Sequence, residues 1–296
     1  KLNADFNEPI GSWDTSKVTS MSHHEGICGD GKCIFNQDIG GWDTSRVEDM
    51  RFLFGYYKEF DQDISRWDTS RVRTMKSMFK WAIAFNSELA WDTSSVTTME
   101  STFRVAKAFN SQLDWDTSSV TNMAGTFVAM WAFDQELAWD TSKVTTMEST
   151  FEGAERFNRQ LDWDTSKVTT MQGTFGGANV FNKPLVWDTS RVTTMESTLA
   201  NAEAFDQPLD WDTSKVTNMF WTFASATAFN SQLVWDTSKV TSVWQTFYGA
   251  EKFNKALAWD TSSVTQILFA FNGAEAFNQP LVWDTSKVTE MQYAFQ

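Results

Sequence analysis

Two patterns of apolar and polar residues recur along this chain. In VTTMESTFEGA, the apolar residues Val144, Met147, Phe151 and Ala154 are separated by 3, 4 and 3 residues, which places them on one face of a helix. In FNRQLDWD, the next segment, residues 161–164 alternate, so that Leu and Trp would face inward and the two Asp outward. Each repeat is therefore predicted to contain a short helix followed by a short strand.

Polar and glycine residues mark the predicted ends of this helix. Thr145 is followed three residues later by Glu148, which matches the capping box that begins many helices. In four repeats a glycine stands two residues beyond the last core Phe, where a left-handed residue would end the helix. These glycines are Gly153, Gly177, Gly249 and Gly273.

The same unit returns along the whole chain, as the positions of Trp-Asp-Thr-Ser show. This tetrapeptide begins at Trp13, Trp42, Trp67, Trp91, Trp115, Trp139, Trp163, Trp187, Trp211, Trp235, Trp259 and Trp283. A fixed period with a strand and a helix in each repeat is typical of leucine-rich repeats, in which neighbouring coils bury a continuous core. We therefore predict an α/β repeat solenoid of about twelve coils of 24–25 residues, each with a short parallel β-strand and a short helix.

The segment FNQDIGGWDTSRVEDM carries a resemblance to a known family. It resembles the BspA-like leucine-rich repeats, including those of Mycoplasma surface lipoproteins, and the resemblance covers residues 6–296. It implies a cell-surface or secreted protein used in adhesion and protein interaction, and no catalytic residues come with the family. The first three repeats keep two residues between Ile and Trp, as the family does, whereas one residue is lost from Leu89–Trp91 onward.

The repeats contain no carboxylate pair, nucleophile motif or phosphate-binding loop that would indicate an enzyme. We therefore expect a non-enzymatic structural or adhesive protein without a cofactor. It would mediate protein–protein interactions in a larger assembly, with another protein or a further copy of itself as the partner. The alternative is a solenoid module that binds a glycan or a small ligand in a local pocket.

The chain is acidic, with 38 Asp and Glu residues against 24 Lys and Arg residues, which disfavours nucleic acid and anionic membranes as partners. No apolar run is long enough to span a membrane, so membrane insertion is not expected. A basic row lies three residues after the Asp of Trp-Asp-Thr-Ser. We expect it to neutralise the Asp column, and the alternative is a stripe that binds an acidic polysaccharide. The row comprises Lys17, Arg46, Arg71, Lys143, Lys167, Arg191, Lys215, Lys239 and Lys287.

The two cysteines, Cys28 and Cys33, lie in CGDGKC within a four-residue insertion in the first repeat. The Gly-Asp-Gly between them forms turns readily, which favours a small disulfide loop and hence an extracellular, cell-surface or oxidising lumenal location. The alternatives are a metal site with His23 and His24, the two histidines of the chain, and a pair of free thiols. Because a zinc site needs four well-placed ligands, we assign no metal.

Two polar columns have structural explanations. Asp follows Trp in all twelve repeats, and we predict that it accepts backbone N–H groups of a turn rather than binding calcium, which needs about six to eight oxygen ligands. Asn follows Phe in many repeats and is predicted to form a ladder of amides that satisfies the backbone of the coils. These residues are Asn86, Asn110, Asn158, Asn182, Asn230, Asn254 and Asn278.

We treat residues 1–296 as one domain because stacked repeats share one core. No polar cap precedes Phe6, and the sequence stops at MQYAFQ directly after the twelfth predicted helix. Since a solenoid needs capped ends to stay soluble, we expect that terminal caps are missing. The chain would then be a segment of a longer protein, or its ends would dock on neighbours.

Three repeats near residue 244 depart from the polar residues that follow the core Met elsewhere. Large apolar residues replace Glu-Ser or Gln-Gly there, and two of them would point away from the core on a helical wheel. Residues 24 apart stack above one another, so these side chains are predicted to form one exposed patch that docks a partner. The patch comprises Phe220, Trp221, Trp244, Leu268 and Phe269.

A weaker candidate is the outward position before each Trp, which would lie on the concave face that leucine-rich repeats commonly use for binding. Asp and small apolar residues share this position, a mixture that favours protein or peptide partners. The row comprises Asp114, Asp162, Val186, Asp210 and Val234, with Ala90, Ala138, Ala258 and Val282 at the same position.

Overall fold

A computed structural model describes residues 5–23 and 33–296, and the chain divides into unit 1, Lys1–Val144, and unit 2, Thr145–Gln296. Within each unit the repeats form stacked coils, joined by parallel bridges between residues one repeat apart. The bridges run from Ser20 to Asn122 in unit 1 and from Thr146 to Glu290 in unit 2. The repeat architecture is thereby confirmed within each unit, whereas the single domain over residues 1–296 stays a prediction.

The predicted helix is wrong, since no helix occurs among residues 5–23 and 33–296. In the segment that begins at Met147, every second N–H group donates to a carbonyl of the next coil. Ser149 N–H donates to the Gln172 carbonyl of the next coil at 2.7 Å, while Thr150 N–H closes a turn onto the Met147 carbonyl at 3.1 Å. A helix this short is marginal alone because it retains few internal bonds. The alternate hydrogen bonds instead join the segment to the same segment of the next coil. We call residues 148–156 and their equivalents the turn arm.

Two residues in each turn arm have left-handed backbone conformation, which a helix excludes. In one coil they are Ser149 (φ 51°) and Gly153 (φ 66°). The left-handed glycine is thus confirmed, but it forms the third position of a tight turn instead of ending a helix. The capping box is also wrong, because no helix begins at Thr145, and Glu148 N–H donates to the Thr146 hydroxyl at 3.4 Å.

The strand predicted from the alternation of residues 161–164 is not found, and the parallel bridges lie beside the turn arm instead, at Thr146 and its equivalents. Nearly parallel identical rings report the local spacing of coils. Trp163 and Trp187 are 6.4 Å apart between centroids, whereas Phe151 and Phe175 are 5.5 Å apart. We call the edge that carries Trp the Trp arm, and side chains bond coil to coil there, as the Trp187 indole N–H does to the Leu161 carbonyl at 3.3 Å.

The predicted core is confirmed. Val144, Met147, Phe151, Ala154 and the equivalent residues of the inner coils are almost fully buried, whereas Met291 and Phe295 of the last coil are exposed. Leu and Trp of the Trp arm are buried while the flanking Asp residues are exposed, so the alternating pattern was interpreted correctly even though no strand forms. Two rows of Thr, at Thr165 and Thr174 and their equivalents, are also buried and were not anticipated.

Candidate functional site

The structure brings the first three residues of the predicted patch into contact. The Phe220 ring lies 5.1 Å from that of Trp221 and 4.7 Å from that of Trp244. Trp221 and Trp244 remain 39% and 37% exposed although their rings touch a neighbour. Leu268 and Phe269 are half-buried in the following coil, whose Leu268 carbonyl accepts Gln245 N–H at 2.9 Å. The five residues therefore occupy successive turn arms of unit 2.

Backbone conformation explains why Trp221 and Phe269 leave the core. Both are left-handed, with φ of 58° and 50°, and they occupy the row that holds Ser149 and Ser197 in earlier coils of unit 2. The helical wheel also predicted that these side chains point away from the core, but the segment is not a helix. Bulky side chains are uncommon in this conformation, which costs about 1–2 kcal/mol per residue. Their presence lowers the stability of the fold, and a binding function of these side chains would explain why they are there.

Two further aromatic residues of unit 2 were missed. Tyr293 is exposed and its ring lies 5.0 Å from that of Phe269. Tyr248 is exposed on the same turn arm as Trp244. Tyr293 occupies the left-handed row of Trp221, so the sequence contained a usable signal for it. We define the apolar patch as Phe220, Trp221, Trp244, Leu268 and Phe269, extended by Tyr248 and Tyr293.

The row before each Trp is exposed, as the alternating pattern predicts. Val186 and Val234 are 89% and 86% exposed, and the Asp114 carboxylate accepts a hydrogen bond from the Gln112 amide at 3.2 Å. These residues share an edge of the coils. The description of this row as concave assumed a strand ladder beside it, and the bridges lie elsewhere. The row remains a candidate surface.

The Asp of each Trp-Asp-Thr-Ser serves a turn, and that prediction is confirmed. Asp236 accepts the Ser238 backbone N–H at 3.0 Å and the Ser238 hydroxyl at 2.7 Å. These two hydrogen bonds hold the pKa of Asp236 below its ordinary value of 3.8, and Lys239 adds a weaker attraction. Lys239 thus acts on Asp236 in the expected direction, whereas neutralisation of the whole Asp column by the basic row stays a prediction.

The Asn ladder is confirmed as well. The Asn158 side-chain carbonyl accepts Asn182 N–H at 3.0 Å, and the Asn230 side-chain carbonyl accepts Asn254 N–H at 2.9 Å. Where Asp206 replaces Asn, its carboxylate accepts Asn230 N–H at 2.8 Å in the same way. A side-chain oxygen therefore bonds coil to coil where the backbone carbonyl does not reach.

The cysteine loop lies largely outside the described residues. Cys33 is buried, whereas Cys28 and His24 belong to the segment 24–32 that the structure does not describe. The Cys28–Cys33 disulfide therefore stays a prediction. Among residues 5–23 and 33–296, no cluster of His, Cys, Asp and Glu is suited to hold a metal ion. In the same part of the chain, no helix could span a membrane.

A cavity of about 380 Å³ lies in unit 1 beside the first coils. Its lining is almost entirely apolar and aromatic, and the Tyr57 hydroxyl, the Cys33 sulfur and the Trp13 and Trp42 indoles supply its polar side-chain atoms. The volume is in the range of small-molecule sites. The other residues that line it are Phe6, Ile10, Phe35, Ile39, Leu53 and Phe54.

Three solved structures are similar to this chain. A leucine rich cell surface protein from Faecalibacterium prausnitzii is 14% identical, with 81% of this chain and 73% of that chain covered and a TM-score of 0.43. A leucine-rich repeat protein from Bacteroides ovatus is 11% identical over 90% and 88% of the two chains, with a TM-score of 0.31. One from Eubacterium ventriosum is 11% identical over 82% and 78%, with a TM-score of 0.40.

No curated protein matches the chain. One family matches it in five overlapping segments, residues 1–90, 26–138, 89–162, 125–234 and 232–296, which together span its length. The resemblance to Mycoplasma repeats that the sequence carries is thereby confirmed. The chain belongs to DUF285, a family described as Mycoplasma protein of unknown function.

Proposed function

We propose that this protein is a non-enzymatic structural or adhesive protein, at the cell surface or secreted, that joins other proteins in a larger assembly through the apolar patch of unit 2. The observation that carries the proposal is the pair of exposed indoles, Trp221 and Trp244, around Phe220. Grouped, exposed aromatic residues of this kind mark protein interfaces, because Trp and Tyr dominate binding energy when a partner buries them.

The conformational cost of the patch supports the proposal. Ser149 and Ser197 fill the left-handed row elsewhere in unit 2, so Trp221 and Phe269 are not required there for stacking. Two large side chains in an unfavourable conformation, both only partly buried, gain little from the core. Burial of a large apolar side chain by a partner is worth about 1.5–3 kcal/mol, which exceeds the cost of the backbone conformation.

A pull-down with the double variant Trp221→Ser, Phe269→Ser tests the proposal. The variant introduces the residue that the same row already holds in other coils, so the fold should persist, as judged by near-ultraviolet circular dichroism. We expect loss of the proteins that the wild type captures from a surface fraction. The matched control, Val186→Ser with Val234→Ser, removes two exposed apolar side chains from the Trp arm and should capture the same proteins as the wild type.

Retained capture by a folded patch variant would contradict the proposal. Loss of capture in the Val186 and Val234 control instead would move the binding surface to the row before Trp. Charge reversal by Asp162→Lys with Asp210→Lys would then weaken capture, since this row carries the second candidate surface.

The cavity of unit 1 favours a second function, the binding of a small apolar ligand. The lining offers few polar groups to sugar hydroxyls, so a glycan is a poorer occupant than an apolar molecule. A glycan array and a thermal-shift screen of apolar compounds distinguish the two. Stabilisation by an apolar compound that Leu53→Trp abolishes would establish the cavity as a binding site, and the absence of any stabilising compound would dismiss it.

A further inference from the structure

The turn arms of the two units carry opposite charge. The described arms of unit 1, at residues 51–59, 76–84, 100–108 and 124–132, hold six basic and two acidic side chains, a net charge of +4. The complete arms of unit 2 hold seven acidic and two basic side chains, a net charge of −5. These arms are residues 148–156, 172–180, 196–204, 220–228, 244–252 and 268–276.

The reversal occurs within single rows of the repeat. Lys58 and Lys107 in unit 1 occupy the row that holds Glu203 and Glu251 in unit 2. The two Lys side chains are half-exposed and the two Glu side chains are exposed. Because the repeats otherwise share their core residues, the reversal concerns the surface alone. It gives two faces of similar backbone and opposite sign.

Unit 1 also exposes aromatic residues on its turn arms, and cations lie over them. Trp81 is 36% exposed, and its ring lies 6.5 Å from that of Tyr56. The Lys80 ammonium is 5.6 Å from the centroid of Tyr56, and the Lys107 ammonium is 3.5 Å from that of Trp131. We define the basic aromatic face as the group Phe52, Tyr56, Lys80, Trp81, Lys107 and Trp131.

We propose that the apolar patch of unit 2 docks on the basic aromatic face of unit 1 in a second copy of this chain. The proposal rests on the proposed function of the patch as an interface, and it names the partner. Aromatic rings on both sides would supply apolar burial, and Lys80 and Lys107 would reach indole faces as well as carboxylates. Glu251 lies on the turn arm that holds Trp244, Glu203 lies on the arm one coil before Phe220, and both would pair with those cations.

Charge favours this pairing over the symmetric ones. The arms that hold or adjoin the patch, at residues 196–204, 220–228, 244–252 and 268–276, carry four acidic side chains and one basic side chain, a net charge of −3. Two patches facing each other would therefore bring two negatively charged sets of arms together, and two basic aromatic faces would bring together two sets of +4. Like charges facing each other across an interface are costly, whereas opposite charges steer association and fix the partner. The contact is therefore heterologous, and each bound copy keeps one unpaired patch or face. Repetition of such a contact yields a ring or a filament.

Two variants, each defective in one surface, test this pairing. The patch variant is Trp221→Ser with Phe269→Ser. The face variant is Lys80→Glu with Lys107→Glu, which introduces the residue that the same rows hold at Glu152 and Glu155 in unit 2. Arg46→Glu with Arg71→Glu is the control, because it reverses two exposed charges of unit 1 on the Trp arm.

Sedimentation velocity of the purified chain provides the measurement. We expect the wild type and the control to associate as concentration rises, and each defective variant alone to bind its own copies about tenfold more weakly or worse. An equimolar mixture of the patch variant and the face variant should form a 1:1 dimer, because one intact patch meets one intact face. Association of the wild type should weaken as salt rises above about 0.15 M, where exposed charges are screened within about 8 Å.

Several outcomes would overturn the pairing. If the face variant associates as well as the wild type, the patch has a different partner surface. If the mixture stays monomeric while both variants are folded, the two surfaces do not meet. A wild type that is monomeric at every concentration also refutes the pairing, yet capture of other proteins that needs Trp221 would leave the proposed function intact. A face variant that fails to fold is replaced by Glu203→Lys with Glu251→Lys, which should lose self-association; self-association retained by that folded variant would also overturn the pairing.

Discussion

The Trp arm and the turn arm of each coil are hydrogen-bonded to the next coil in different ways. In the Trp arm, side chains bond coil to coil: the Trp187 indole N–H donates to the Leu161 carbonyl at 3.3 Å and the Thr165 hydroxyl to the Asp188 carbonyl at 2.9 Å. In the turn arm the backbone does so, as between Ser149 and Gln172. The side chains that bond coil to coil are therefore fixed in the Trp arm, whereas the turn arm is bonded by its backbone and its exposed side chains can vary. Large aromatic residues and charge reversals are accommodated in the turn arm, and we assign binding to it.

Replacing one Trp in each arm should give the largest difference in stability between the two arms. Trp187→Ala removes a buried ring and an indole hydrogen bond, so it should lower the free energy of unfolding by about 3–5 kcal/mol. Trp244→Gln introduces the residue that Gln172 supplies in the same row and should change stability by less than about 0.5 kcal/mol. Urea denaturation measures both. Equal losses would mean that the turn arm bears as much of the stability as the Trp arm.

Buried hydroxyls extend the comparison to the inner side of the turn arm. The Thr174 hydroxyl donates to the Met171 carbonyl at 2.8 Å and approaches the Met147 carbonyl at 3.0 Å. Thr174→Val should cost about 0.5–1.5 kcal/mol, because it removes one buried hydrogen bond while the two carbonyls keep the N–H donors of Thr174 and Thr150. Thr169→Val, at an exposed hydroxyl, serves as the control and should cost less. A neutral Thr174→Val would show that these hydroxyls only fill space.

Left-handed positions give a smaller effect. Gly177 has φ of 70°, and a Cβ there would meet Gly153 at 3.5 Å, which is ordinary contact. Gly177→Ala should therefore cost about 1 kcal/mol from conformation alone. Gly41→Ala, where a Cβ meets nothing within 4 Å, is the control. Thermal unfolding compares the pair, and an equal response would argue against conformational cost in the turn arm.

Acid should weaken the Trp arm in small steps. Hydrogen bonds from Ser238 hold the pKa of Asp236 below 3.8, so the folded protein binds fewer protons than the unfolded chain. The stability that results is fully present above pH 3.8 and is lost as pH falls through the lower folded value. Ser238→Ala should reduce the fall in the free energy of unfolding as pH drops below 3.8. Identical pH profiles for the variant and the wild type would remove Asp236 from the account.

The period of the sequence predicted the core but not the backbone. Val144, Met147, Phe151 and Ala154 are buried as expected, because spacings of 3 and 4 residues suit a series of tight turns as well as a helix. Hydrogen bonds to the next coil and two left-handed residues in each arm distinguish the turns from a helix, and the sequence of a single repeat does not reveal the hydrogen bonds. The alternating Leu and Trp of the Trp arm likewise predicted burial without predicting how coils are bonded.

The candidate surfaces were predictable to different degrees. Trp221 and Trp244 interrupt rows of small or polar residues, and that departure located the patch. The basic aromatic face escaped notice because Tyr56, Lys80 and Trp81 each differ from the repeat in an unremarkable way. These residues lie together only in the turn conformation of the arm, and the sequence analysis had predicted a helix there.

Hydroxyl-radical footprinting at low and high protein concentration tests most directly whether binding belongs to the turn arm. The account predicts that Trp221, Trp244, Tyr56 and Trp81 lose reactivity as the chain associates, while Val234, exposed on the Trp arm, keeps its reactivity. Protection of Val234 and of the row before Trp, with the four aromatic residues of the turn arms unchanged, would contradict it.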